Sequence, residues 1–156
     1  MTFAERRNLK GRVKRHVMLV DNDAGAAKVV TWILSQNQFV VKRFSDPGKA
    51  LKEFKKDLGR YQVIIVDARM PGMTGFEFAR RVRKLCAEIR IVLLTDFEIS
   101  KSEFSKVFPS SQIDDIVVKP TAPRQLIQAV TGIVSSKFSN DPIDNGGRQD
   151  YQSAVY

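Results

Sequence analysis

The chain has 156 residues, enough for one domain with a sizeable core and short extensions, and its 43% hydrophobic and 28% charged content is ordinary for a globular protein. No apolar run approaches the roughly 20 residues that span a bilayer, and the basic first fifteen residues lack the apolar stretch of a signal peptide, so a cytoplasmic protein is expected. Its single cysteine, Cys86, can form neither an internal disulfide nor a thiolate zinc cluster and reads as a core thiol in a reducing compartment.

The net charge of +9 is uneven. Residues 1–15 carry Arg6, Arg7, Lys10, Arg12, Lys14 and Arg15 against Glu5 and read as a basic arm. Residues 16–137 read as the folded body. Residues 138–156, rich in Ser, Asn, Gly and Asp, carry Arg148 against Asp141, Asp144 and Asp150 and read as a disordered tail.

Within the body, short apolar runs alternate with helical periodicity five times. Strands are expected at His16–Val20, Phe39–Phe44, Val63–Val66, Ile91–Leu94 and Ile116–Val118. The continuous Val/Ile/Leu/Met runs among them suit strands covered on both faces. Between them, Ala26, Val30, Ile33 and Leu34 fit one helical stripe, as do Ala50, Phe54 and Leu58, then Phe78, Val82, Leu85 and Cys86. Ser100–Phe108 is a poorer helix, and Leu126, Val130, Ile133 and Val134 make the last stripe. Asp46-Pro47 places a cap before a first-turn proline, and Thr74 with Glu77 matches a capping box. Trp32 reads as an exposed or half-buried helix residue, and His16 opens a strand; neither suggests a role. Five strand–helix units in a row predict a parallel sheet with helices on both faces.

Polar residues stand where these strands end. Strand one runs into Asp21-Asn22-Asp23, strand three into Asp67, strand four into Thr95-Asp96 and strand five into Lys119-Pro120. Far apart in sequence, they converge at the carboxyl edge of a parallel sheet, where such folds bind ligands. Carboxylates there suit Mg²⁺, a hard ion that takes oxygen ligands and keeps several waters. A lysine and a hydroxyl beside them would neutralise and orient a phosphoryl group, and an aspartate can itself be the nucleophile in phosphoryl transfer.

Val63-Ile64-Ile65-Val66-Asp67-Ala68-Arg69-Met70-Pro71-Gly72-Met73-Thr74-Gly75-Phe76-Glu77 resembles the phosphoacceptor strand and loop of two-component response-regulator receivers. Val20-Asp21-Asn22-Asp23 is similar to their acidic loop, Leu93-Leu94-Thr95 to their switch strand and Val117-Val118-Lys119-Pro120 to their lysine loop. The order and spacing of all four agree over roughly residues 16–137. The resemblance implies a doubly wound five-stranded α/β fold, order 2-1-3-4-5, of the flavodoxin-like or CheY-like (βα)5 type, an arrangement for which a receiver is itself a standard illustration.

Carried over, Asp67 is the phosphoacceptor, and Asp21, Asn22, Asp67 and the backbone carbonyl of Arg69 hold Mg²⁺. Thr95 bonds a phosphoryl oxygen and acts as a switch, Lys119 pairs with the phosphoryl group, and Lys119-Pro120 is cis. Partners would be a histidine kinase or histidine phosphotransfer protein and a downstream protein target, with no enzymatic turnover and no membrane insertion. Because only a short polar tail follows the last helix, the chain reads as a single-domain regulator.

Three residues depart from the family pattern. Asn22 stands where a second acid usually ligates the metal, which removes one negative charge; Asp23 could partly substitute, although its side chain is expected to point elsewhere. Asp96 stands where a small residue usually leaves a path to the phosphoryl group; turned inward it would modulate phosphoryl lifetime, turned outward it would not. Ile116 occupies the switch position commonly held by Tyr or Phe. The weakened metal site leaves a second reading open, a degenerate receiver that binds partners without phosphate.

The basic residues Lys49, Lys52, Lys55, Lys56, Arg60, Arg80, Arg81, Arg83 and Lys84 read as a solvated face rather than a nucleic-acid surface, since no recognition helix or stacking aromatics accompany them. A rival from another class is a phosphohydrolase of the haloacid dehalogenase type, with Asp21 as nucleophile of an Asp-x-Asp pair. It leaves Asp67 and the Met70-Pro71 to Gly75 loop unexplained and lacks that family's acidic ligands after Lys119.

Overall fold

The computed structural model describes residues 14–98, 100, 102, 103, 106 and 113–132. Five strands, β1 (Arg15–Val20), β2 (Phe39–Phe44), β3 (Val63–Asp67), β4 (Arg90–Thr95) and β5 (Asp115–Val118), form one sheet of order β2-β1-β3-β4-β5. Every pairing is parallel. Among the described residues four helices connect or follow them: α1 (Ala24–Gln36), α2 (Pro47–Lys56), α3 (Gly75–Leu85) and α4 (Pro123–Thr131).

Successive strand residues point to opposite faces, and both faces are covered. Met18, Val20, Ile64, Val66, Ile91 and Leu93 pack under α2 and α3 with Phe54 and Phe78. Val17, Leu19, Ile65, Val92, Leu94 and Val117 pack under α1 and α4 with Leu34 and Leu126. This two-sided burial accounts for the unbroken apolar runs. Burying each of Phe54 and Phe78 completely contributes about 1.5–3 kcal/mol.

The helix starts follow from local chemistry. Asp46 Oδ1 accepts from Lys49 N at 3.0 Å with Pro47 in the first turn, and Thr74 Oγ1 accepts from Glu77 N at 3.2 Å. Proline also opens α4, and Gly132, at φ 65°, ends it with its N–H on the Gln128 carbonyl.

Some expectations need correction. Four of the five strands run one or two residues beyond their expected bounds. In α1 the buried residue of the first turn is Ala27, with Ala26 only half-buried. Leu58 is not on the α2 stripe: the helix ends at Lys56 and Leu58 is 39% exposed. Cys86, expected as a buried core thiol, caps the end of α3 and is only half-buried against the core, whereas Trp32 is exposed as expected, at 63%. The basic arm, most of 99–112, Ile133, Val134 and the tail lie outside the described residues.

Candidate functional site at the carboxyl edge of the sheet

The strand register sets the site. Val20 pairs with Val66, Asp67 with Leu94, and Thr95 with Val118, so the residues that follow open at one edge. Backbone bonds carry the ladder beyond the strands: Asp21 N donates to the Phe44 carbonyl at 3.0 Å, Ala68 N to Leu94 at 2.8 Å and Lys119 N to Thr95 at 2.8 Å. Asp21, Asp67 and Thr95 are the three polar residues buried among those described.

Lys119 Nζ lies 3.1 Å from Asp21 Oδ2 and 3.3 Å from Asp67 Oδ2, tying strands β1, β3 and β5 through one ammonium. The Lys119-Pro120 peptide is cis, as the resemblance implied. Arg69 N donates to Asp67 Oδ1 at 3.3 Å. Burial, and then the neighbouring Asp21 carboxylate, hold the Asp67 carboxyl above the usual aspartate range, against the opposing pull of Lys119 and the Arg69 N–H. Burial opposes the charge on Lys119 most strongly, but its contacts with Asp21 and Asp67 outweigh it and leave the ammonium held more tightly than usual.

The loop that follows Asp67 is shaped by two glycines. Gly72 sits at φ 80°, a turn conformation that side chains resist. A Cβ on Gly75 would meet the Asp67 carbonyl oxygen at 2.3 Å, so only glycine lets α3 start this close to β3.

The residues that depart from the pattern have distinct fates. Asn22 is exposed beside Asp21. Asp23 is committed as the N-cap of α1, its Oδ1 accepting from Gly25 N at 3.0 Å and Ala26 N at 3.1 Å, which removes it from the ligand set. An aspartate one residue before a helix is a legible cap signal, masked here by the neighbouring acidic loop. Asp96 is exposed, and Ile116 is half-buried against the core beneath α2 and α3. Thr95 Oγ1 accepts from Phe97 N at 3.2 Å, leaving its hydroxyl hydrogen available to a ligand.

The residues present suit Mg²⁺. Asp21 Oδ2 is fully buried and, despite lying within ion-pair distance of Lys119, receives no directed hydrogen bond. A buried carboxylate oxygen with open lone pairs is what a hard cation or its water requires. Position 22 is an amide, and the described residues hold no cluster of three or more acidic, His or Cys ligands.

The model of the response regulator receiver domain family matches residues 17–131. The chain belongs to that family. It is a receiver domain of two-component signalling, a family that is generally non-enzymatic and whose members typically bind Mg²⁺. The receiver is 31% identical over 132 residues to the cyclic di-GMP phosphodiesterase response regulator RpfG of Xanthomonas campestris, covering 82% of this chain and 34% of that protein. It is 29% identical to the transcriptional regulatory protein CreB of Escherichia coli, covering 79% of this chain and 53% of that one. The chain thus spans about a third to a half of the length of these curated relatives. Chemotaxis protein CheY4 of Vibrio cholerae superposes with a TM-score of 0.68 at 28% identity, over 78% of this chain and 99% of that one. No helix among the described residues is long and apolar enough to cross a membrane.

Two site features were not anticipated. The Arg69 guanidinium lies 4.2 Å from the centre of the Phe97 ring, bridging the loops that follow β3 and β4. Arg83 is not part of the solvated basic face: its side chain is only 12% exposed and binds Asp114 Oδ2 at 2.6 Å and the carbonyls of Ala87 and Ile89. Neither pairing follows from spacing along the chain.

Proposed function

We propose that Asp67 accepts a phosphoryl group from a phosphohistidine donor, a histidine kinase or a histidine phosphotransfer protein, and that the receiver, residues 16–137, then signals by contact with a downstream protein in the cytoplasm. The observation that carries this reading is the Lys119 ammonium bridging the Asp21 and Asp67 carboxylates at 3.1 and 3.3 Å. It puts a cation between two buried carboxylates at neighbouring strand ends, of which Asp67 is the last residue of β3.

In the transfer, an Asp67 carboxylate oxygen attacks phosphorus as the bond from phosphorus to the donor imidazole nitrogen breaks, and the imidazole leaves with the bonding electrons. Lys119 neutralises the arriving charge, and the Thr95 hydroxyl donates to a phosphoryl oxygen. Asp21, Asn22, Asp67 and the Arg69 carbonyl would hold Mg²⁺, which when bound supplies positive charge to the phosphoryl oxygens. The exposed position of Asp96 favours a path open to water over a blocked one. The cations of α2 and α3, other than Arg83, act as a solvated face, and nucleic acid is not a partner.

Incubation with Mg²⁺ and acetyl phosphate, read by intact mass, tests the assignment. One labile phosphoryl adduct is expected, and Asp67→Asn abolishes it. No adduct at any Mg²⁺ concentration would instead mark a phosphorylation-independent binding module. An adduct on Asp21, or steady phosphate release, would indicate the hydrolase reading.

A further inference from the structure

Resting on the assignment of Asp67 as acceptor, the geometry points to a charge-competition switch: the phosphoryl group and the Phe97 ring compete for the Arg69 guanidinium. Arg69 follows Asp67 by two residues, and its N–H already bonds the acceptor carboxylate at 3.3 Å. Its guanidinium is stacked 4.2 Å from the Phe97 ring centre, and Phe97 is 51% exposed. Among the described residues no carboxylate forms an ion pair with Arg69, and the Asp67 and Asp21 carboxylates are engaged by Lys119.

An exposed cation–π stack is a weak contact, whereas a guanidinium grips phosphate oxygens with paired, charge-assisted hydrogen bonds. A dianion arriving two residues away therefore outcompetes the ring. A second link pulls the same way. Phe97 N is bonded to Thr95 Oγ1 at 3.2 Å, so inward movement of Thr95 towards a phosphoryl oxygen draws the Phe97 backbone with it. The two loops that meet in the unmodified protein then separate, and one face of Phe97 becomes available to a partner. Such a device suits a chain in which Ile116 offers no aromatic ring to swing.

The test uses the full chain with Mg²⁺ and beryllofluoride as the phosphoryl mimic, bound ion being read by its fluorine resonance. In the free protein the Arg69 methylene protons carry an upfield ring-current shift that Phe97→Leu removes. On binding, the parent loses that shift and the Arg69 Nε–H moves downfield. Phe97→Leu binds beryllofluoride roughly two- to fivefold more tightly, since no stack has to break; Phe97→Trp, which keeps a π face, binds no more tightly than the parent. A bound fluorine resonance with the Arg69 shift retained, or equal or weaker binding by Phe97→Leu, overturns the switch alone. No bound resonance in the parent overturns the acceptor assignment and the switch with it.

Discussion

In the proposed transfer Asp67 carries opposite demands: it must be buried to exclude water and charged to attack phosphorus. Its folded form holds a proton more tightly than the unfolded chain does, so ionising it costs stability as pH rises from the ordinary aspartate value of 3.8 through its raised value. Asp67→Asn, an uncharged isostere, should therefore melt higher than the parent at pH 7 without Mg²⁺, Lys119 keeping Asp21 as partner. The difference should vanish as pH falls below the ordinary aspartate range, which thermal melts across pH will show. Asn22 is the complementary case. Restoring a carboxylate with Asn22→Asp should lower the Mg²⁺ needed for half-maximal phosphorylation about tenfold, equivalent to about 1.4 kcal/mol. An unchanged Mg²⁺ requirement would place residue 22 outside the ligand set.

Elements, more than single side chains, hold the acceptor in place. Strand β3 delivers Asp67 to the sheet edge, and α3 begins against its carbonyl because residue 75 has no side chain. Gly75→Ala should cost about 1–3 kcal/mol by forcing that contact apart, seen as a lower denaturation midpoint with unchanged slope. Asp23→Ala should cost about 1 kcal/mol through the lost α1 cap and leave the Mg²⁺ dependence of phosphorylation where it was. A shifted Mg²⁺ dependence would return Asp23 to the metal site.

At the scale of the whole molecule, the alternation of buried runs with helical stripes is a global signal: it gave the parallel sheet and the convergence of its strand ends, whereas the order 2-1-3-4-5 came from the family resemblance and agrees with the observed sheet. Residues 21, 67 and 119 could be grouped because parallel topology brings strand ends together whatever their separation. The Arg69–Phe97 stack and the Arg83–Asp114 pair could not, since side-chain contacts between loops depend on loop paths that no periodicity encodes. Leu58 was misplaced for a related reason: an apolar residue at helical spacing gives no sign that the helix has already stopped at Lys56. The capping role of Asp23 went unread for another reason: the expectation that it points away from the metal rests on the acidic loop alone, without the helix start that its side chain caps.

The most direct test of the account is the fraction of chain carrying a phosphoryl adduct, measured by intact mass against Mg²⁺ concentration in acetyl phosphate. The account predicts a saturable rise with Mg²⁺ in the parent and none in Asp67→Asn. An adduct that persists in Asp67→Asn, or that forms equally without Mg²⁺, would contradict it.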